Sequence, residues 1–130
     1  MTIVLPLHEH RLAPVLDTAT RLLVVRWRRG REVARDQVAL PVGAPAELAD
    51  VLAGLRPDVL LCGVLSRELE QALAHGKWRI IRHLCGDAEE LLHAFLTGRL
   101  AAPRFCLPGC RPADMLRRRN RPAHPAFSKP

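Results

Sequence analysis

Residues 56–84 read RPDVLLCGVLSRELEQALAHGKWRIIRHL, and the fold turns on this stretch. Pro57-Asp58 is a turn signal, and Val59-Leu60-Leu61-Cys62 is a short unbroken apolar run closed by Gly63. An apolar run of that length without alternation suits a strand buried on both faces. Ser66 can cap the segment that follows, and Glu68 and Glu70 suit the positive end of a helix dipole. Leu65, Leu69, Ala72 and Leu73 then share one helical face, and Gly76 is expected to close the helix in a left-handed conformation. Trp78-Arg79-Ile80-Ile81 is a second β-type run. Strand, helix and strand in this order predict a right-handed βαβ unit and therefore a parallel pair.

Upstream, Thr2-Ile3-Val4-Leu5 predicts a first strand ended by Pro6, followed by a loop over residues 7–19 with room for one helical turn. Residues 22–28 alternate Leu23, Val25 and Trp27 against Leu22, Val24, Arg26 and Arg28, a strand period, and Arg29-Gly30 can turn the chain. Residues 32–40 return as a more polar strand, expected at the sheet edge. Leu48, Val51, Leu52 and Leu55 set a helix over 46–55. After the βαβ unit, Asp87 stands three residues before Glu90 as a capping pair, and Leu91, Leu92, Phe95 and Leu96 run to Gly98. The sum is an α/β domain in three layers, α/β/α, with a mixed five-stranded sheet in the order 3-2-1-4-5. In such sheets ligands sit beyond the carboxyl ends of the parallel strands. That edge would gather His8 and His10, Gly63 and Val64, and His83 and Cys85.

The chain has 130 residues and a net charge of +7, and the charge is unevenly spread. Residues 1–98 hold twelve Arg and Lys against twelve Asp and Glu, whereas residues 99–130 hold eight against Asp114 alone. One α/β domain over 1–100 and a Pro/Arg-rich basic tail over 101–130, expected to be mobile, follow from that division. No apolar run approaches the roughly 20 residues that span a bilayer. MTIVLPLHEHRL lacks the marks of a signal peptide, and four cysteines without a secreted spacing point to a reducing cytoplasm.

Cys106 and Cys110 are the sharpest soft-metal candidates, because thiolates hold iron–sulfur and thiomolybdate-type centres. Two ligands do not complete a site, so the pair reads either as part of one or as tail thiols. His83 and Cys85 could join them or remain surface residues. His8 and His10 would share a side if extended, and read as ligands or as solvated loop residues. Cys62, ending a buried strand, reads as a small core hydrophobe. The Arg26, Arg28, Arg29 and Arg31 group is a solvated hairpin end or an addition to an anion site. No catalytic residue emerges: Ser-His-Asp spacing, a phosphate-cradling glycine loop and paired general-acid carboxylates are all missing from the sequence. A two-metal nuclease would need clustered carboxylates, and the first strand has none.

Three segments, RPDVLLCGVLSRELE (56–70), DAEELLHAFLTG (87–98) and FCLPGC (105–110), carry a resemblance to the dinitrogenase iron–molybdenum-cofactor biosynthesis family, running from about Ile3 to Cys110. The resemblance implies a ribonuclease-H-like fold and non-catalytic binding or delivery of an anionic molybdenum- or iron–sulfur cluster. Gly63, Val64, His8 and His10 would approach it, with Cys106, Cys110, Cys85 and His83 as metal ligands. The partner implied is a metallocofactor assembly protein; the charge of the basic tail by itself reads as attraction for an anionic cluster, a dock for an acidic partner or a solubilising tail, and neither nucleic acid nor a membrane is expected. Family members carry a Ser-Pro-His-Phe-Gly-like loop after the first strand, where this chain reads Ala13-Pro14-Val15-Leu16-Asp17. Val64 and Ser66 likewise stand where glycines are usual. Those departures motivate an alternative, an interaction or regulatory module that kept the fold without the ligand.

Overall fold

The computed structural model describes residues 1–40, 45–74 and 76–107. Its mixed sheet contains β1 (Thr2–His8), β2 (Arg11–Leu12), β3 (Arg21–Arg28), β4 (Arg31–Ala39), β5 (Val59–Leu61) and β6 (Arg79–Ile81). Helices α1 (Pro45–Leu55), α2 (Arg67–Leu73) and α3 (Ala88–Leu96) cover it. The order across the sheet is β4-β3-β1-β5-β6, with the short β2 paired to β1 off that path. β1 runs parallel to β5, and β5 to β6, while β3 and β4 are antiparallel additions.

Among the described residues six strands therefore form where five were expected, and the difference lies at Pro6. The first strand does not stop there. Pro6 pairs with Leu22 of β3, while its carbonyl accepts from Ala13 N at 2.9 Å on the other side. Proline lacks only a donor, so it can remain in a strand whose neighbour on that side has changed from β5 to the returning chain. The chain then turns through Glu9 and His10, with Glu9 at φ 58°, and comes back as β2.

Alternation along each strand sends side chains into two cores. Ile3, Leu5, Leu23, Val25, Val59, Leu61 and Ile81 pack with Leu91 and Leu92 of α3 on one face. Val4, Leu22, Val24 and Leu60 pack with Leu48 and Leu52 of α1 and Leu69 and Leu73 of α2 on the other. The helices start where the sequence provides caps. Ser66 Oγ accepts from Leu69 N at 3.0 Å, and Asp87 Oδ2 accepts from Glu90 N at 3.1 Å. Gly76 differs from expectation: its φ is not left-handed. Its missing Cβ makes room for the Trp78 indole, which an added Cβ would meet at 2.2 Å. Packing continues past residue 100, because Phe105, on a single 3-10 turn over Pro103–Phe105, is 2% exposed in the α3-side core. Among the described residues no helix is long and apolar enough to cross a membrane.

Candidate functional site

Short backbone bonds weld the loops at the carboxyl ends of β1, β5 and β6 into one surface. Val64 N donates to Pro14 O at 2.9 Å and Leu16 N to Val64 O at 2.8 Å, so the loop after β2 runs beside the loop after β5. His83 N donates to Gly63 O at 2.9 Å, which ties the loop after β6 to both. Leu107 N donates to His83 O and Cys85 N to Phe105 O, each at 2.9 Å, placing the 105–107 segment as an antiparallel ribbon along 83–85. The β1–β2 hairpin closes the far side through Leu12 N to Gly86 O and Ala88 N to His10 O.

Gly63 is fixed by this weld. A Cβ there would sit 2.4 Å from Pro14 O and 3.1 Å from Ala13 O. The glycine thus admits the chain's own backbone, filling the place where a ligand would approach. Asp17 acts in the same sense at the start of α2. Its Oδ1 accepts from Ser66 N at 2.8 Å and its Oδ2 from the Ser66 hydroxyl at 2.6 Å. A carboxylate held against unpaired N–H groups at a helix start is what an incoming anion would otherwise be. Sequence reading named Asp17 and Ser66 separately; 49 residues apart, they carry no local signal that they meet. The Arg82 guanidinium, with its side chain only 13% exposed, also lies at this edge and pairs with Glu70 of α2 at 3.2 Å.

The expected ligands are arranged as follows. Cys85 and Cys106 are both half-buried on the ribbon, with Cys106 opposite Leu84 and packed against the α3-side core. The Cys85 thiol faces two carbonyl oxygens, Cys106 O at 3.6 Å and Arg104 O at 3.9 Å. That geometry suits a protonated S–H donor, and the side chain must turn before a thiolate could bind a metal there. His83 sits between them and the Gly63 loop in a left-handed conformation, φ 66°, its backbone bonded on both sides. His8 ends β1 and His10 lies in the hairpin turn, both exposed, so the extended arrangement that would align them is not adopted. Val64 is 42% exposed at the same edge. Cys110 lies outside the described residues. Cys62 is fully buried, and burial pushes its thiol up to about 12, with Arg82 pulling weakly the other way. It is a core residue, as its position at a buried strand end implied. Among the described residues no three His, Cys, Asp or Glu side chains converge as a metal site.

No family model and no curated protein matches this chain. Solved structures do. A protein from Methanocaldococcus jannaschii, provisionally named a dinitrogenase, aligns at TM-score 0.63 and 12% identity over 76% of this chain and 90% of its own. A Thermotoga protein provisionally named NifB aligns at TM-score 0.60 and 16% identity over 75% of this chain and 89% of its own. The apo form of the orange protein from Desulfovibrio gigas aligns at TM-score 0.60 and 23% identity, covering 75% and 88%. At these identities the likeness is one of fold.

Proposed function

We propose that this protein binds or carries an anionic molybdenum- or iron–sulfur cluster, or its precursor, for metallocofactor assembly, without catalysing a reaction itself. The observation that carries the reading is the ribbon at the carboxyl edge, where the Cys85 thiol lies 3.6 Å from the Cys106 carbonyl and the backbones of both run beside His83, in a fold shared with structures named dinitrogenase and NifB. Thiolates are the protein ligands such clusters take. Cys110 supplies a further thiol, Gly63 and Val64 form the adjacent wall, and His8 and His10 stand at its rim. The finer fold assignment, ribonuclease-H-like, and a reducing cytoplasmic setting belong to the same reading. Binding needs Cys85 to rotate away from its carbonyl partners, so apo and loaded forms differ at the ribbon.

A second reading has its own observation. Asp17 occupies the start of α2 and the backbone of residues 13–14 fills the space over Gly63, so the strand edge is already closed. Such a chain would serve as an interaction module on the same fold.

One experiment separates the two. The protein is purified without oxygen and incubated with iron, sulfide and molybdate or tetrathiomolybdate, and bound metal is read by elemental analysis and absorbance. The Cys85→Ala/Cys106→Ala and Cys110→Ala variants run alongside. Stoichiometric metal that disappears in the double variant supports the carrier. Full retention there moves the site away from the ribbon, and no metal in any form leaves the interaction module.

A further inference from the structure

The opposite edge of the sheet, where the parallel strands begin, has another character. It collects the amino end of β1, the β3–β4 hairpin tip, the end of α1 and the approach to β6. Arg26, Arg28, Arg29, Arg31, Arg56 and Lys77 are exposed there, Arg79 is half-buried, and the Met1 ammonium donates to Trp27 O at 2.7 Å. Two carboxylates lie nearby and both are engaged. Asp58 accepts from Thr2 N at 2.7 Å, and Glu32 holds Arg35 at 2.8 Å. Among the described residues none of these eight cations has a carboxylate partner.

The arrangement is unfavourable for the isolated chain. Arg28 and Arg31 are directly opposed across the hairpin, a like-charge pairing that weakens a sheet. Arg29 and Arg56 both have left-handed backbone, φ 56° and 51°, where glycine or asparagine is cheaper by about 1 kcal/mol. Guanidinium groups thus stand at positions where strain and repulsion both disfavour them. A bound anion would neutralise them.

The cations follow the strand order, from Arg31 on β4 and Arg28 on β3, past Met1 just ahead of β1 and the Asp58 carboxylate ahead of β5, to Arg79 on β6. Four strand spacings make the row roughly 19 Å long. An extended polyanion fits that length, whereas a single small anion would reach only a few of the groups. Among the described residues the row offers no free aromatic face for stacking a base, because Trp27 packs against the α3-side core and Trp78 is buried. Guanidinium groups instead suit bidentate pairing with carboxylates.

We propose that this edge is a docking surface for a carboxylate-rich segment of a partner protein. It lies across the sheet from the thiol ribbon and stands whether or not that ribbon binds a cluster. Docking here leaves the carboxyl edge uncovered.

The test uses the full chain and a fluorescent glutamate-rich peptide, with binding followed by anisotropy at low and high salt. Arg28→Glu/Arg29→Glu/Arg31→Glu reverses the hairpin end, and Arg56→Glu/Lys77→Glu reverses sites nearer the other end. A third variant, Arg117→Glu/Arg118→Glu/Arg119→Glu, reverses the run in the basic tail. The expected result is a salt-sensitive affinity that falls about tenfold or more in the hairpin variant, and in the same direction at the second pair. Thermal melting by circular dichroism checks that each variant is folded; if the hairpin variant is not, the second pair carries the test. Affinity lost only in the tail variant would overturn the assignment, and so would tighter binding of a single-stranded oligonucleotide of equal charge.

Discussion

The two ends of the parallel strands solve the same electrostatic problem in opposite ways. At the carboxyl edge the chain supplies its own partners: Asp17 meets the start of α2, Glu70 meets Arg82, and Pro14 O closes over Gly63. At the amino edge Arg28 faces Arg31, and among the described residues no carboxylate pairs with either. Ligand edges of α/β sheets are usually recognised by open helix starts and bare glycines. Here those features are internally satisfied, and the unmet charge is at the other end. The difference teaches that a shared fold locates an edge, while the state of its polar groups decides what that edge can still accept.

If the carboxyl edge is a closed weld, cutting into it should be costly. Gly63→Ala forces a Cβ to within 2.4 Å of Pro14 O, and backbone on both sides cannot yield as a flexible side chain would. The expected loss is about 3 kcal/mol, read as a lower urea midpoint at unchanged slope. An unchanged midpoint would show that the 13–14 loop moves freely and that the edge is open.

Cys62 sharpens the same point through pH. Its thiol is raised from 9.0 to about 12 by burial, so the folded state holds the proton more tightly than the unfolded chain. Stability from this group is therefore fully present below pH 9.0 and is lost as pH rises toward about 12. Midway the loss is about 2 kcal/mol, and Cys62→Ala, less stable at neutral pH, should show a shallower alkaline decline. Equal slopes in the two proteins would place the thiol in contact with solvent.

Asp17→Ala comes next. It removes acceptors for Ser66 N and for the Ser66 hydroxyl, worth about 1–2 kcal/mol for a half-buried group. The same change uncovers the start of α2. Reconstitution of this variant with tetrathiomolybdate should therefore hold at least as much metal as the parent if internal closure limits loading. Less metal would mean that Asp17 supports the site.

How much of this was visible beforehand follows from how local each signal is. The βαβ unit was legible because an apolar run, a Ser cap and a second β-type run lie within residues 56–84. The β3–β4 hairpin was legible through Arg29-Gly30, with Gly30 at φ 81°. The β1–β2 hairpin was not, since Glu9-His10 contains neither glycine nor asparagine and Pro6 reads as a stop. Phe105 was hidden by its proline-rich surroundings, although a phenylalanine there was the one hint that the chain still packs. The site itself was half legible. Gly63, His83 and Cys85 were placed at one edge, and Cys106 was left as either their partner or a tail thiol; backbone hydrogen bonds join all four segments, but the Asp17–Ser66 closure joins residues that only the finished fold brings together.

The smallest expected effect has the opposite sign, which makes it the most discriminating. Arg29 is the first of two left-handed residues in a two-residue turn, the geometry for which Asn-Gly is the strongest preference. Arg29→Asn relieves the backbone and removes one cation from a row that, among the described residues, has no carboxylate partner. The protein should become more stable by about 0.5 kcal/mol, and the share due to charge should shrink as salt is added. Affinity for the glutamate-rich peptide should fall in the same variant. A residue that costs stability and supports binding is kept for binding. If Arg29→Asn instead destabilises the chain, the guanidinium has a structural partner within it, and the amino edge would be as closed as the carboxyl one.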